Sequence, residues 1–446
     1  MRFVCLLLLL TPVFLEAQSP GHIHTATLNN GMKILVQEDH AIPTVALYLF
    51  YKVGSRDERP GITGISHFFE HMMFNGSRKF GPGEFDRLME KSGGSNNAYT
   101  TKDVTVYTDW FPPTALNLMM DMESDRMAHL TLDPKIVESE RGVVYSERRL
   151  RVDNDNFGAL SEQVTASAMI AHPYHWPVVG WPSDIEAWTR QDLETYYRQG
   201  YAPNNCLMVV VGDVSTDTVV DLAKKYFASI PSHPTFGEPR TKEPPQEGER
   251  VVKLKKEAEL PLLLLAFHMP PSRDKDDPAI QVAESVLSAG ESSRLHSCLV
   301  DKEQAALNVQ VFDEPSLDPY LLGVYAQPRA GVSVARVKSL VFNELNKLIK
   351  EPVPDAELRK AKNQWLAAHY RSMTTVSGRA NLLGTYEIFY GSYDRLFTEP
   401  DRIEAVTAVD VQRVAKDLFR PENCTTGILE PQKAALPNEK TPGVKR

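Results

Sequence analysis

Between Gly64 and Ser77 the chain reads GISHFFEHMMFNGS, and three of those residues, His67, Glu70 and His71, have the types and spacing of a hydrolytic metal site. At about 100° of rotation per helical residue the three fall within a sector of roughly 100°, so they share one face. Histidines at i and i+4 present imidazole nitrogens one turn apart, which suits a single zinc ion, and a glutamate beside them can take a proton from an attacking water. Ile65, Phe68, Phe69, Met72 and Met73 fall on the opposite side, where they can seat the helix in a core. Asn75-Gly76 supplies the left-handed stop expected past a helix end. The competing reading is a pair of core histidines bonded to backbone carbonyls.

Two histidines leave a zinc site incomplete, because hydrolytic sites take three protein ligands and keep one position for water. The stretch PKIVESERGVVYSERRL has helical character and offers Glu138, Glu140 and Glu147. Glu140 and Glu147 lie two turns apart and share a face, but spacing alone does not choose among the three, and a solvated charged face would look the same.

The elements that carry these residues repeat. Thr189 to Cys206 (TRQDLETYYRQGYAPNNC) aligns without gaps on Thr407 to Cys424 (TAVDVQRVAKDLFRPENC), and the same interval sets Pro43, Val45 and Pro60 on Pro261, Leu263 and Pro278. Each half reads as an apolar strand, several helices, a helix ending in a Tyr/Phe-x-Pro turn, and a further strand, which is an α+β pattern. Asn30-Gly31 marks a hairpin between the first two strands. At the repeat interval His67, Glu70 and His71 fall on Ser285, Ser288 and Ala289, so the second half has no metal pair. A requirement of the fold would be expected in both copies, which favours chemistry over packing.

The expected organisation is a secretory leader over 1–17, a zinc-binding half over 22–230, a Pro- and charge-rich linker over 231–250, a metal-free half over 251–432 and a disordered tail over 433–446. With 446 residues, 42% of them hydrophobic, the chain can bury large cores. The apolar run of the leader is too short to span a bilayer, and nothing downstream resembles a membrane helix, so an exported protein in a periplasm or outside the cell is expected. Cys206, Cys298 and Cys424 remain after leader removal; an odd number argues for buried thiols, with one pair at most. A net charge of −9 without a basic stripe disfavours nucleic acid as a partner.

With its His-x-x-Glu-His order, the chain resembles the pitrilysin/insulinase family of zinc metallopeptidases, the inverzincins, in the short form similar to mitochondrial processing peptidase. The likeness runs from about Leu28 to Pro431. It implies two homologous α/β-sandwich halves, each a mostly antiparallel sheet packed with helices, facing each other in a clamshell. It implies one zinc ion per chain held by His67, His71 and Glu147, with Glu70 as general base and Glu140 supporting the site from behind. A rough alignment of PDAELRKAKNQWLAAHYR with the Glu140–Glu147 helix puts alanines near both positions of the second half. Asn97, Ala98, Tyr99 and Thr100 resemble the family segment leading into an edge strand that pairs with an extended substrate. Arg379 and Tyr386 resemble a pair that reaches across from the C-terminal half to the substrate carbonyl. His172 and His175, within HPYHWPVVG, read as structural, and SAGESSRLHSCL reads as architectural. The substrate implied is a peptide or unfolded polypeptide, enclosed in a chamber made by a homodimer or by a heterodimer with a related metal-free chain. The alternative from another class is a non-catalytic scaffold or processing partner.

Overall fold

The computed structural model describes residues 22–432. The expected leader over 1–17 and tail over 433–446 lie outside the described residues. Two sheets organise the chain. The first holds β1 (Ile23–Thr27), β2 (Lys33–Glu38), β3 (Val45–Tyr51), β4 (Ser95–Thr100), β5 (Thr105–Phe111) and β6 (Cys206–Gly212) in the order β1-β2-β6-β3-β5-β4. The second holds β7 (Arg250–Glu257), β8 (Leu262–Met269), β9 (Ala306–Phe312), β10 (Tyr320–Pro328) and β11 (Cys424–Gln432) in the order β7-β11-β8-β10-β9. Pairing is antiparallel except for β2 with β6 and β7 with β11, which are parallel. The fold is therefore two related α+β halves, as the sequence pattern implied.

The first turn forms where Asn30-Gly31 marks it. Thr27 faces Lys33, Gly31 takes φ of +90°, and the Asn30 amide donates to the carbonyls of Phe227 and Ile230. A side chain at Gly31 would be strained by that φ.

The repeated letters have repeated jobs. Thr189 and Thr407 cap the helices Arg190–Gly200 and Ala408–Leu418, each in a capping box with Asp192 or Asp410. Asn205 donates to the carbonyls of Gly200 and Lys52, and Asn423 donates to those of Leu418 and His268. The last pair corrects one expectation. Lys52 and His268 differ by 216 (268 − 52), and Cys206 faces Tyr51 where Cys424 faces Phe267, so the central strand does not keep the interval of 218. A shift of two leaves every side chain on its own face, which is why the misregistration was invisible in the apolar pattern. In the helices that follow, Val286 and Leu287 are buried where Phe68 and Phe69 are, so the interval of 218 returns.

The outer face of each sheet is covered by a helix from the other half. Leu160, Val164 and Ala168 of helix Asn156–Ala168 pack on Leu262, Leu264, Ala266 and Leu429 of the second sheet. Ala380, Leu383, Tyr386 and Phe389 of helix Val376–Phe389 pack on Leu35, Ala46, Phe50 and Val209 of the first. Covering both faces explains why β3, β6 and β8 are apolar without alternation. One glycine permits each close crossing: a Cβ on Gly384 would overlap the Phe50 ring, and a Cβ on Gly427 would overlap Val164. Polar ties join the halves as well, among them Arg56 to Asp318 at 2.6 Å and the Leu317 N–H to the Tyr174 hydroxyl at 3.2 Å.

Among the described residues the three cysteines are free thiols, with Cys206 and Cys424 buried and Cys298 half-buried. No helix among the described residues is long and apolar enough to cross a membrane.

Candidate metal centre

The helix Ile65–Met72 begins without a side-chain cap of its own. Gly64, at φ +86°, precedes it, and the buried carboxylate of Glu58 accepts from the backbone N–H of Gly64 (2.8 Å) and Ser66 (2.9 Å) and from the Ser66 hydroxyl (2.7 Å). The Glu58 carboxyl satisfies orphan donors of the first turn, while burial pushes it up to about 8 against those hydrogen bonds. Ser66 in turn shares a hydrogen bond with Tyr196 at 2.6 Å, fixing the first turn. Phe68, Phe69 and Met72 are fully buried, so the helix cannot rotate without emptying the core.

That fixed rotation turns His67 and His71 toward the helix Pro134–Arg148. Its start is set by Asp133, which accepts from the N–H of Lys135 and Ile136, followed by Pro134 at the first position. Of its three candidate glutamates, Glu147 meets the histidines: Oε2 lies 3.1 Å from His71 Nε2 and 3.7 Å from His67 Nε2. One donor atom from each of the three lies within 4.8 Å of the others. Glu138 points to solvent beside Arg141. Glu140 stands behind the site, accepting from His71 Nδ1 at 2.7 Å and from the Asn75 amide at 2.8 Å.

The electrostatics fit a cation. Burial, reinforced by the neighbouring His71, pulls His67 down to about 4, so this imidazole is neutral as a ligand must be. Burial acts to lower His71 too, yet its hydrogen bonds to Glu140 and Glu147 prevail and push it up to about 9. The two carboxylates thus demand positive charge at this point. Both are held below the usual carboxylate range, chiefly by hydrogen bonds with His71. The His71 Nδ1–H bound to Glu140 also selects the tautomer that leaves Nε2 facing Glu147. Glu70, one turn from His67, receives a hydrogen bond from Thr100 Oγ1 at 2.6 Å, and burial pushes its carboxyl upward against that bond.

Thr100 ends β4, which pairs with β5 on one side, and among the described residues its other edge, beside Glu70, has no paired strand. Asn97, Ala98, Tyr99 and Thr100 all lie on this strand, with Ala98 packed on the core and Tyr99 bonded to Asn381 of the opposite half.

Comparison with known proteins decides the lineage. The chain is 32% identical over 433 residues to the zinc protease PqqE of Helicobacter pylori, covering 94% of this chain and 95% of that protein. The chain belongs to the insulinase family of peptidases, M16. Residues 33–180 match the family model described as insulinase, and 187–365 match the one described as the peptidase M16 inactive domain. Ser285, Ser288 and Ala289 lie within the latter. Identity to a probable mitochondrial-processing peptidase subunit beta of Arabidopsis thaliana is 25% over 426 residues, 93% of this chain and 79% of that one. The crystal structure of a protease from Helicobacter pylori superposes with a TM-score of 0.89 at 29% identity, covering 93% of this chain and all of that one. The periplasmic protease PqqL of Escherichia coli shares the fold, with a TM-score of 0.76 at 19% identity; the match covers 92% of this chain and 48% of that longer one.

Within this M16 chain Arg379 and Tyr386 do not join the trio. Arg379 is paired with Asp39 and donates to the Met373 carbonyl, and Tyr386 is buried in the layer against the first sheet, stacked on Tyr390. His172 accepts from the Tyr174 N–H and pairs with Asp318, a structural role. Residues the sequence did not single out are Glu58 and Arg151, whose Nε lies 2.9 Å from Glu147 Oε1. Arg151 had a visible signal, the i, i+4 spacing from a candidate ligand. Asn75, read as part of a helix stop, also had one, sitting four residues past His71.

Proposed function

We propose that the chain is a zinc-dependent endopeptidase that cleaves peptides or unfolded polypeptide segments. The observation that carries this reading is the convergence of His67, His71 and Glu147 beside a carboxylate, Glu70, held by Thr100. A bound zinc ion would supply Lewis acidity toward the scissile carbonyl and lower the pKa of water toward neutrality. Glu70 takes a proton from the attacking water as the new C–O bond forms, and passes it to the amide nitrogen as the C–N bond breaks. Glu140 holds the His71 ring through Nδ1, and Arg151 engages the Glu147 oxygen turned away from the histidines.

The substrate lies as an added strand along the free edge of β4, where Asn97 to Thr100 supply backbone donors and acceptors and Thr100 links that edge to the base. The site opens into a chamber shared by two chains, either a homodimer or a heterodimer with a related metal-free chain. The longer PqqL chain, about half of which is matched by this one, supports such a doubled arrangement. Arg379 and Tyr386 are engaged within their own chain, Arg379 with Asp39 and Tyr386 buried against the first sheet, so the mechanism proposed here assigns them no contact with the substrate carbonyl. Export rests on residues 1–17, and PqqL is described as periplasmic.

The test uses the purified chain, its zinc content and quenched fluorescent peptides. Wild type should bind one zinc and cut, whereas Glu70→Gln should retain fold and zinc and lose activity by about 10²–10⁴-fold. Normal turnover in Glu70→Gln would remove the base from the mechanism, and a chain that purifies without zinc and ignores chelator would be the scaffold instead.

A further inference from the structure

Glu147 and Arg148 are neighbours at the end of one helix, and they point apart. Glu147 faces the histidines, while Arg148 is 3% exposed and faces the interior. Its guanidinium makes a two-pronged pair with Glu162, Nη1 to Oε2 at 2.8 Å and Nη2 to Oε1 at 3.0 Å. Nη1 also donates to the carbonyl of Gly180 at 2.7 Å. A planar fork can hold a carboxylate and a carbonyl together, which the point charge of a lysine cannot reproduce.

Each partner leads somewhere. Gly180 is packed backbone to backbone on Gly64, the residue before the histidine helix; a Cβ on either one would overlap the other's segment, and both have positive φ. Glu162 belongs to the helix Asn156–Ala168, which lies on the second sheet. From the helix that carries the carboxylate ligand, one side chain therefore reaches the loop packed on the start of the histidine helix and the helix that covers the second sheet.

We infer that Arg148 is a positioning residue that sets the separation between Glu147 and the His67–His71 pair and ties that separation to the docking of the halves. The inference rests on the zinc reading above. Residues behind metal ligands, though untouched by metal, commonly govern affinity by about 10–100-fold.

The experiment compares wild type, Arg148→Lys and Glu162→Gln in the full chain, reading zinc affinity by chelator competition, kcat and KM separately, and melting temperature. Glu162→Gln keeps the volume and leaves Arg148 its Gly180 contact, so it decides the matter should Arg148→Lys fail to fold. Both variants should bind zinc about ten-fold or more weakly, with kcat lowered at saturating peptide and KM unchanged, because β4 is untouched. A buried ion pair that served stability alone would lower the melting temperature and leave zinc affinity at the wild-type value; that result overturns the inference. If wild type itself binds no zinc, the proposed function fails first, which separates the two failures.

Discussion

In the first half a helix turns two imidazoles and a glutamate toward a carboxylate from a later helix; in the second, helix Asp277–Ser288 turns Glu284, Ser285 and Ser288 toward a cavity of about 450 Å³ that Trp365 lines. Trp365 lines that cavity together with Ser285 and donates to Gln281, so an indole stands where the first half has a ligand-bearing helix. The strand side differs as well. Thr100 faces Thr105 at the end of β4, and the corresponding place past the Phe312–Gly323 pair at the end of β9 is Asp313. Helix and strand have exchanged chemistry: carboxylate on the helix and hydroxyl on the strand in one half, Ser288 and Asp313 in the other. The carboxyls then behave differently. Glu140 and Glu147 stay ionised because His71 faces them, whereas burial, with Asp313 nearby, pushes Glu284 up to about 8. The arrangement of helix, helix and strand is a property of the fold; the charge balance that suits a cation belongs to one copy.

The largest effect should come from erasing that balance. Glu147→Gln keeps the shape and removes the charge, making the first half resemble the second. Zinc affinity should fall by more than about 100-fold, beyond the cost of outer contacts, while the metal-free protein stays folded but melts slightly lower, having lost the pairs of Glu147 with His71 and Arg151. Equilibrium dialysis checks it, and an unchanged affinity would move the third ligand elsewhere.

Next in size is a test of whether the halves are one unit. Gly384→Ala places a methyl into the Phe50 ring, and Phe50 is fully buried, so a cost of about 1–3 kcal/mol is expected. Because the exchanged helices make each half's outer layer out of the other, urea unfolding of the variant should remain a single transition. Two separated steps would show that the halves are only loosely joined.

Much of this was legible in the sequence, and the missing part has a physical reason. The helix face carrying His67, Glu70 and His71 follows from period alone, and the repeat of Thr189/Thr407 and Asn205/Asn423 reflects identical caps and ties. Choosing Glu147 needed the family pattern, since Glu140 shares its face. The exchange of helices was hidden, because an amphipathic helix announces an apolar face without naming the sheet that covers it. Arg379 and Tyr386 show the same gap: their spacing was readable, while the partners they meet, Asp39 and the first sheet, are a matter of topology. Glu58 caps a helix from six residues before Gly64, outside the window in which caps are sought.

A smaller effect is expected in the metal-free half. Trp365→Phe removes the bond to Gln281 and keeps an aromatic wall, costing about 1 kcal/mol of stability. Zinc affinity and kcat should not move. A change in either would mean the second cavity communicates with the first, and the contrast drawn above would lose its footing.

The finest test concerns Thr100, the residue whose counterpart is Asp313. Thr100→Val is close in shape and removes the hydroxyl that donates to Glu70. Burial raises the Glu70 carboxyl and the Thr100 bond lowers it more than either of the nearby charges, His71 and Arg151, does, so removing the bond moves the carboxyl further up. The base must be ionised to accept a proton, and the acid limb of the kcat/KM profile should therefore move to higher pH in the variant. At a pH well above that limb the remaining loss is one of orientation, about 1 kcal/mol or about five-fold in rate. A limb that stays in place, or moves to lower pH, would mean that the group titrating there is not Glu70.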